Sequence, residues 1–143
     1  MGETSTVFYW DTSALLSRFF SDIHSRTAQK WAETEAVHLL PSLAHAEASA
    51  VIARMTKEAV ITPDLAETVC TAMESGPWRA LNGLPDRSVV MDLSRKWPLR
   101  GADLWHLALA VSLKKDLPEI RLLTFDDQLR EAAAGEDLAE KVL

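Results

Sequence analysis

Two acidic residues stand where the sequence pattern predicts the ends of strands. Asp11 follows the short β-branched and aromatic segment 7–10, and Asp126 comes at the end of a similar segment, 120–125. Open α/β sheets build their sites at the carboxyl ends of strands, so both carboxylates are expected at one edge. Each also has an ordinary explanation, because Asp is a favoured N-cap residue of helices.

Two further acids lie on the apolar faces of predicted helices. Glu47 has Leu43 and Val51 four residues away on either side, and Asp103 begins a stripe that continues at Leu107. A charge on such a face is costly unless it is paired or bound to a cation. The alternatives are that Glu47 keeps its head group in water at the rim, and that Asp103 stabilises the first turn through the helix dipole.

The four acids together indicate a metal site. Carboxylates that converge without a basic partner repel one another, and the usual remedy is a hard divalent cation with oxygen ligands, Mg²⁺ or Mn²⁺. Such a cation polarises a phosphoryl oxygen and lowers the pKa of bound water, which suits phosphodiester hydrolysis. The residues predicted to be both catalytic and metal-ligating are Asp11, Glu47, Asp103 and Asp126.

Short strands separated by helices must position these acids. The apolar patterns predict strands at 7–10, 37–40, 78–84 and 120–125. Helices are predicted to start near residues 12, 26, 42, 63, 89, 102 and 127, with Ser42 and Thr62 as caps. This alternation predicts an α/β protein with a mostly parallel sheet.

Composition is typical of one globular domain spanning 1–143, with 48% hydrophobic and 25% charged residues. Cys70 is the only cysteine, which excludes a disulfide framework and a Cys-based zinc cluster and suits a reducing compartment. The histidines lack zinc-ligand spacing, and His106 is expected to be partly buried and hydrogen-bonded. Without a signal-like or membrane-spanning segment, we expect a soluble, cytoplasmic protein with no membrane partner.

With a net charge of −6, the protein is not expected to attract nucleic acid non-specifically. A polyanionic substrate must therefore be held by local features. Arg100 and Lys96 precede Asp103 and are candidate phosphate contacts, although solvated helix ends explain them equally well.

The ordered acidic motifs resemble those of PIN-domain ribonucleases, and more narrowly those of VapC toxins from toxin/antitoxin pairs. The motifs are Tyr9–Leu15, Ala46–Glu47, Leu99–Ala108 and Leu123–Asp126. The resemblance covers nearly the whole chain. It implies a three-layer fold with a central, mostly parallel sheet of about five strands flanked by helices. It also implies endonucleolytic RNA cleavage with Mg²⁺ or Mn²⁺, leaving a 5′-phosphate and a 3′-hydroxyl.

The resemblance assigns further roles. Ser13, rather than Thr12, corresponds to the hydroxyl that supports the first aspartate. The pattern Thr124-x-Asp126 favours Asp126 over Asp127 as the fourth acid and makes Thr124 a supporting residue. Asp127 is then expected to act mainly as a helix cap.

The same resemblance implies two macromolecular partners, an RNA substrate and a cognate antitoxin. The antitoxin is expected to lay a basic or apolar peptide across the site, as in helix-in-groove recognition. A homodimer is a further assembly that the resemblance allows.

Two other functions remain open at this level. A phosphatase using Asp11 as covalent nucleophile would want a second aspartate two positions on, where Ser13 stands. A catalytically silent PIN fold could bind RNA or a protein, although all four acids are intact.

Overall fold

The computed structural model describes residues 6–140, in which strands and helices alternate as the sequence predicts. The elements in chain order are β1 (Val7–Trp10), α1 (Thr12–Phe19), α2 (Ser25–Glu33), β2 (Val37–Pro41), α3 (Ser42–Lys57), α4 (Pro63–Ser75), β3 (Trp78–Leu81), α5 (Arg87–Lys96), α6 (Gly101–Lys114), β4 (Ile120–Leu123) and α7 (Asp127–Gly135). Within residues 6–140, no helix is long and apolar enough to cross a membrane.

The sheet is parallel and lies between two helical layers, which confirms the expected α/β architecture. Its strand order is β3-β2-β1-β4. All residues of β1 are buried, as expected of a parallel strand covered on both faces. Phe8 and Trp10 pack with α1 to α4 on one face, whereas Val7 and Tyr9 pack with α5 to α7 on the other.

The strand count implied by the resemblance was too high for the described part of the chain, where the sheet has four strands. After α7, the backbone turns at Asp137, whose φ is 57°. The chain then meets the outer edge of β4 at one parallel bridge, Leu122 to Ala139, and at one hydrogen bond, Leu122 N–H to Leu138 O at 2.8 Å. A single bridge is too short to count as a fifth strand.

One predicted helix cap is wrong and one is confirmed. Thr62 caps α4, its hydroxyl accepting the N–H of Leu65 at 3.1 Å. Ser42 makes no capping hydrogen bond, because β2 runs through Pro41 directly into α3 and Ser42 is already the first helical residue.

Buried His38 links β2 to the central strand. Its Nδ1 accepts the indole N–H of Trp10 at 3.0 Å, and its Nε2 donates to the carbonyl oxygen of Thr34 at 2.9 Å. Only a neutral ring can accept at one nitrogen and donate at the other. Burial lowers the pKa of His38, and the bond to Thr34 opposes that shift in part.

We therefore expect the contribution of His38 to the free energy of unfolding to fall as the pH drops below about 6.5, the ordinary His pKa. In that range the unfolded chain takes up a proton that folded His38 resists, so stability rises with pH. Urea unfolding between pH 5.5 and 7.5 measures the slope of the free energy of unfolding against pH. This slope should be less positive for His38→Gln than for the wild type. Each such proton contributes at most about 1.4 kcal/mol per pH unit. Equal slopes would contradict the assigned role of His38.

Candidate metal centre and active site

Asp11 directly follows β1 at the carboxyl edge of the sheet and is buried, with 4% of its surface exposed. Its Oδ1 accepts the backbone N–H of Ala14 at 2.9 Å and the hydroxyl of Ser13 at 2.8 Å. The carboxylate is thus the N-cap of α1 as well as a residue of the sheet edge. Ser13, the residue expected to support Asp11, makes that contact.

Asp11 carries its charge at a cost in free energy. Burial raises the pKa of Asp11 to about 6, and the nearby charge of Asp103 adds to this rise. Hydrogen bonds from Thr124, Ala14 and Ser13 act in the opposite direction. At neutral pH the group is therefore mostly ionised despite its burial, and a buried charge is costly unless it is paired or bound to a cation.

A pair of hydroxyls ties the end of β4 to the end of β1. Besides donating to Asp11, Ser13 Oγ accepts the N–H of Phe125 at 3.0 Å and lies 3.4 Å from Thr124 Oγ1. Thr124 Oγ1 in turn accepts the N–H of Asp126 at 3.1 Å. These bonds place Asp126 on the same edge of the sheet as Asp11.

Glu47 is held by a chain of hydrogen bonds from the core. Its Oε1 accepts the hydroxyl of Thr12 at 2.7 Å and lies 3.4 Å from His106 Nε2. The hydroxyl of Tyr9 is 2.7 Å from His106 Nδ1. Tyr9 and His106 are buried, while 37% of the Glu47 side chain is exposed. The expectation that His106 is hydrogen-bonded is confirmed.

Sequence reasoning missed Thr12 and Tyr9 as partners in this chain. The motif pattern favours Ser13 over Thr12 as the supporting hydroxyl. In the structure both hydroxyls donate to a carboxylate, Thr12 to Glu47 and Ser13 to Asp11. Tyr9 was interpreted only as a strand residue. Its one local signal is a phenol in a wholly buried strand, where the hydroxyl needs a partner.

Asp103 brings the acids into electrostatic contact. It lies half-buried in the first turn of α6. Burial raises the pKa of Asp103, and the charges of Asp126 and Glu47 raise it further, while Arg100 lowers it. Because Asp103 also raises the pKa of Asp11, Asp103 is the one acid whose charge acts on, or is acted on by, each of the other three.

The two basic candidates are placed differently. Arg100 occupies the N-cap position of α6 and lies close enough to lower the pKa of Asp103. Lys96 forms an ion pair with Glu136 at 2.7 Å, at the end of α7 opposite Asp126. The structure therefore brings Arg100, but not Lys96, to the acids.

The expectation that Asp127 caps the last helix was wrong. Asp126 is the N-cap of α7, and its Oδ1 accepts the N–H of Leu129 at 2.9 Å. Asp127 is the first helical residue and is exposed. The reason is that the bond from Asp126 N–H to Thr124 turns the backbone one residue earlier than expected.

The acids fit Mg²⁺ or Mn²⁺ in donor type. All four offer oxygen atoms, which hard divalent cations prefer, and their mutual repulsion is relieved by added positive charge. The side-chain hydrogen bonds found on Glu47 and Asp126 use one oxygen of each. Among residues 6–140, however, no three His, Cys, Asp or Glu side chains stand as ready ligands of one ion.

Removing the buried charge should stabilise the metal-free protein. With EDTA present, we expect Asp11→Asn to melt at a higher temperature than the wild type at pH 7.5, with a difference that shrinks as the pH falls to 4. The folded pKa near 6 lies above the unfolded value of 3.8. The contribution of Asp11 to wild-type stability is therefore complete at low pH and is lost as the pH rises through 6. Asn retains the helix cap.

Asp126→Asn is the matched control for that experiment. Asp126 is also an N-cap whose Oδ1 accepts an N–H three residues on, but its side chain is exposed. Its substitution by Asn should change the melting temperature little, and that change should depend little on pH. A lower melting temperature for Asp11→Asn than for Asp126→Asn at pH 7.5 would show that Asp11 is only a structural cap.

No family model and no curated protein matches this sequence. Solved structures do match this chain, among them the following two. VapC20 of Mycobacterium tuberculosis, described as a Sarcin-Ricin loop cleaving toxin, matches with 16% identity and a TM-score of 0.59, over 90% of this chain and 95% of VapC20. PAE2754 from Pyrobaculum aerophilum matches with 17% identity and a TM-score of 0.60, over 92% of this chain and 87% of that protein. The chain therefore has the fold of VapC20, the PIN-like α/β fold that the acidic motifs implied.

Proposed function

We propose that this protein is a metal-dependent endoribonuclease and the toxin of a type II toxin/antitoxin pair. The observation that carries the proposal is the gathering of four acids from separate segments at the carboxyl edge of the sheet. The fold supports it, because VapC20, which shares the fold, is described as a Sarcin-Ricin loop cleaving toxin.

Asp11, Glu47, Asp103 and Asp126 are the residues that would hold Mg²⁺ or Mn²⁺. When bound, the cation supplies a Lewis acid for a phosphoryl oxygen and a means of lowering the pKa of water. The four carboxylates contribute the negative charge that selects a hard divalent cation at this edge.

The surrounding residues orient two of the acids before substrate arrives. Ser13 orients Asp11, and Thr12 with His106 orients Glu47. This preorganisation removes the need to order flexible side chains during the reaction. Arg100, beside Asp103, is the residue best placed to contact an RNA phosphate, since Lys96 is occupied by Glu136.

An acidic cluster open to solvent is a natural target for a basic inhibitor segment. We infer that the antitoxin covers this edge with a basic or apolar peptide, in the cytoplasm where the RNA substrate is found. Purifying the protein from its host and identifying what accompanies it tests this pairing. The formation of a homodimer stays a prediction.

The activity itself depends on the acids. We expect Asp11→Asn, Glu47→Gln and Asp103→Asn each to reduce Mn²⁺-dependent cleavage of RNA by at least about tenfold while the fold is retained, because each removes a ligand charge. The measurement is gel analysis of single-stranded RNA incubated with Mn²⁺ or with excess EDTA. Asp64→Asn is the control, an exposed first-turn aspartate of α4.

Three results would contradict the proposal. Cleavage that persists in excess EDTA would exclude metal dependence, and full activity in all three variants would exclude the site. RNA binding without cleavage under any metal condition would indicate a silent module.

Asp126 and Asp127 should separate cleanly in the same assay. Asp126→Asn should impair cleavage while the helix cap is kept, since Asn also caps. Asp127→Asn should change neither cleavage nor melting temperature, because its exposed side chain is not the cap. The reverse pattern would assign the fourth acid to Asp127.

A further inference from the structure

A buried tyrosine lies behind the candidate metal centre, on the core side of the sheet edge. Tyr9 lies on β1, two residues before Asp11, and none of its surface is exposed. Its hydroxyl is 2.7 Å from Nδ1 of His106, which is the one hydrogen-bond partner found for it within residues 6–140. The pair therefore determines where the protons of both side chains lie.

The Tyr9 hydroxyl selects the nitrogen of His106 that carries the ring proton. At neutral pH a phenol keeps its proton, because its ordinary pKa is about 10. A buried O–H without an acceptor is costly, so the hydroxyl donates and Nδ1 accepts. A ring that accepts at Nδ1 carries its proton on Nε2. That proton faces Glu47, whose Oε1 lies 3.4 Å from Nε2.

The shorter of these two contacts sets the orientation of the imidazole. Tyr9 is 2.7 Å from the ring and Glu47 is 3.4 Å from it, and hydrogen bonds of the greater length are weak. A half-turn of the ring about χ2 would exchange both nitrogens for carbon atoms and remove both contacts. The bond from Tyr9 opposes that rotation, so it keeps the Nε2 proton of His106 directed at the carboxylate.

The chain of bonds joins three elements, each of which carries or leads to an acid. Tyr9 lies on β1, which leads to Asp11, and Glu47 lies on α3. His106 follows Asp103 by three residues on α6, so the two share a face of that helix. The side-chain hydrogen bonds found on Glu47 within residues 6–140 end on Oε1, which leaves Oε2 available to a cation.

We propose that Tyr9 is a positioning residue of the metal centre. By holding His106 with its Nε2 proton toward Glu47, it fixes this carboxylate before a cation binds. The role rests on the proposed function, since it requires that Glu47 is a metal ligand. Side chains that orient metal ligands in this way commonly contribute roughly 10- to 100-fold to metal affinity or activity.

The position of the ring proton is measured in EDTA at pH 7.5, from long-range ¹H–¹⁵N spectra of the histidine rings of the whole chain. His106→Gln identifies the His106 signals by their loss. We expect a proton on Nε2 and an accepting Nδ1, and Tyr9→Phe should shift the Nδ1 signal because its hydrogen bond is lost. A proton on Nδ1 in the wild type would overturn the proposal, because Tyr9 would then be the acceptor.

The affinity for Mn²⁺ is measured by titration calorimetry at the same pH. Tyr9→Phe should raise the dissociation constant at least about threefold and His106→Gln at least about tenfold, because each loosens Glu47. In the His106→Gln background, Tyr9→Phe should have no further effect, since Tyr9 acts through the imidazole. A merely structural role of the hydroxyl would lower the melting temperature in EDTA and leave the affinity unchanged.

His38→Gln is the matched control. His38 is also buried and also accepts at Nδ1 from a side chain of β1, the indole of Trp10. Its Nε2, however, donates to the backbone carbonyl of Thr34 and not to an acid. This substitution should leave the Mn²⁺ affinity unchanged even where it lowers the melting temperature.

The titrations separate this inference from the metal site itself. If Asp11→Asn loses Mn²⁺ binding while Tyr9→Phe binds as the wild type does, the positioning role alone is overturned. If Asp11→Asn binds Mn²⁺ like the wild type, the proposed metal site is wrong and the role of Tyr9 is overturned with it.

Two further results would overturn the positioning role. The first is an effect of Tyr9→Phe that persists undiminished in the His106→Gln background, because Tyr9 would then act by another route. The second is an unchanged Mn²⁺ affinity in His106→Gln, which decides the question even if Tyr9→Phe does not fold.

Discussion

Electrostatic repulsion among four carboxylates is the constraint on which the rest of this structure depends. Asp11 is buried, and Asp103 feels the charges of both Asp126 and Glu47. Asp11 accepts short hydrogen bonds from the Ser13 hydroxyl and from the Ala14 N–H. Such bonds favour the ionised form without neutralising it. Burying the ionised Asp11 without a cation opposes folding at neutral pH.

The topology explains how residues distant in sequence reach this place. Because β1 lies between β2 and β4, its carboxyl end is flanked by the start of α3 and by the turn into α7. The N-terminal turn of α6 arrives from the other helical layer. The contact of His106 with Glu47 joins the layers across the sheet edge, and Tyr9 connects it to the core. The candidate site therefore lies where the two helical layers meet at the carboxyl edge of the sheet.

Sequence patterns predicted the elements well because their signals are local. The aromatic segment at β1 and the Thr62-Pro63 start of α4 each specify their own conformation. What the patterns missed depends on tertiary contacts. No local signal shows that Glu136 holds Lys96, or that the chain after α7 contributes only one bridge to β4.

The same distinction applies within the candidate site. Motif order placed the four acids, and the structure brings them to one edge, while their metal-ligating role stays a prediction. Thr12 bonds to Glu47 and Ser13 bonds to Asp11. This difference depends on the packing of α3 against α1, which the local sequence around these two residues does not show. Likewise, α7 is capped by Asp126 and not by the predicted Asp127, because the hydrogen bond from Asp126 N–H to Thr124 turns the backbone there.

Anomalous diffraction from crystals of the protein soaked in Mn²⁺ tests the central claim most directly. The account predicts a manganese peak at the carboxyl edge of the sheet, within ligand distance of carboxylate oxygens from Asp11 and from at least one of Glu47, Asp103 and Asp126. A crystal that takes up Mn²⁺ only at other surface carboxylates, with no manganese bound to Asp11, would contradict it.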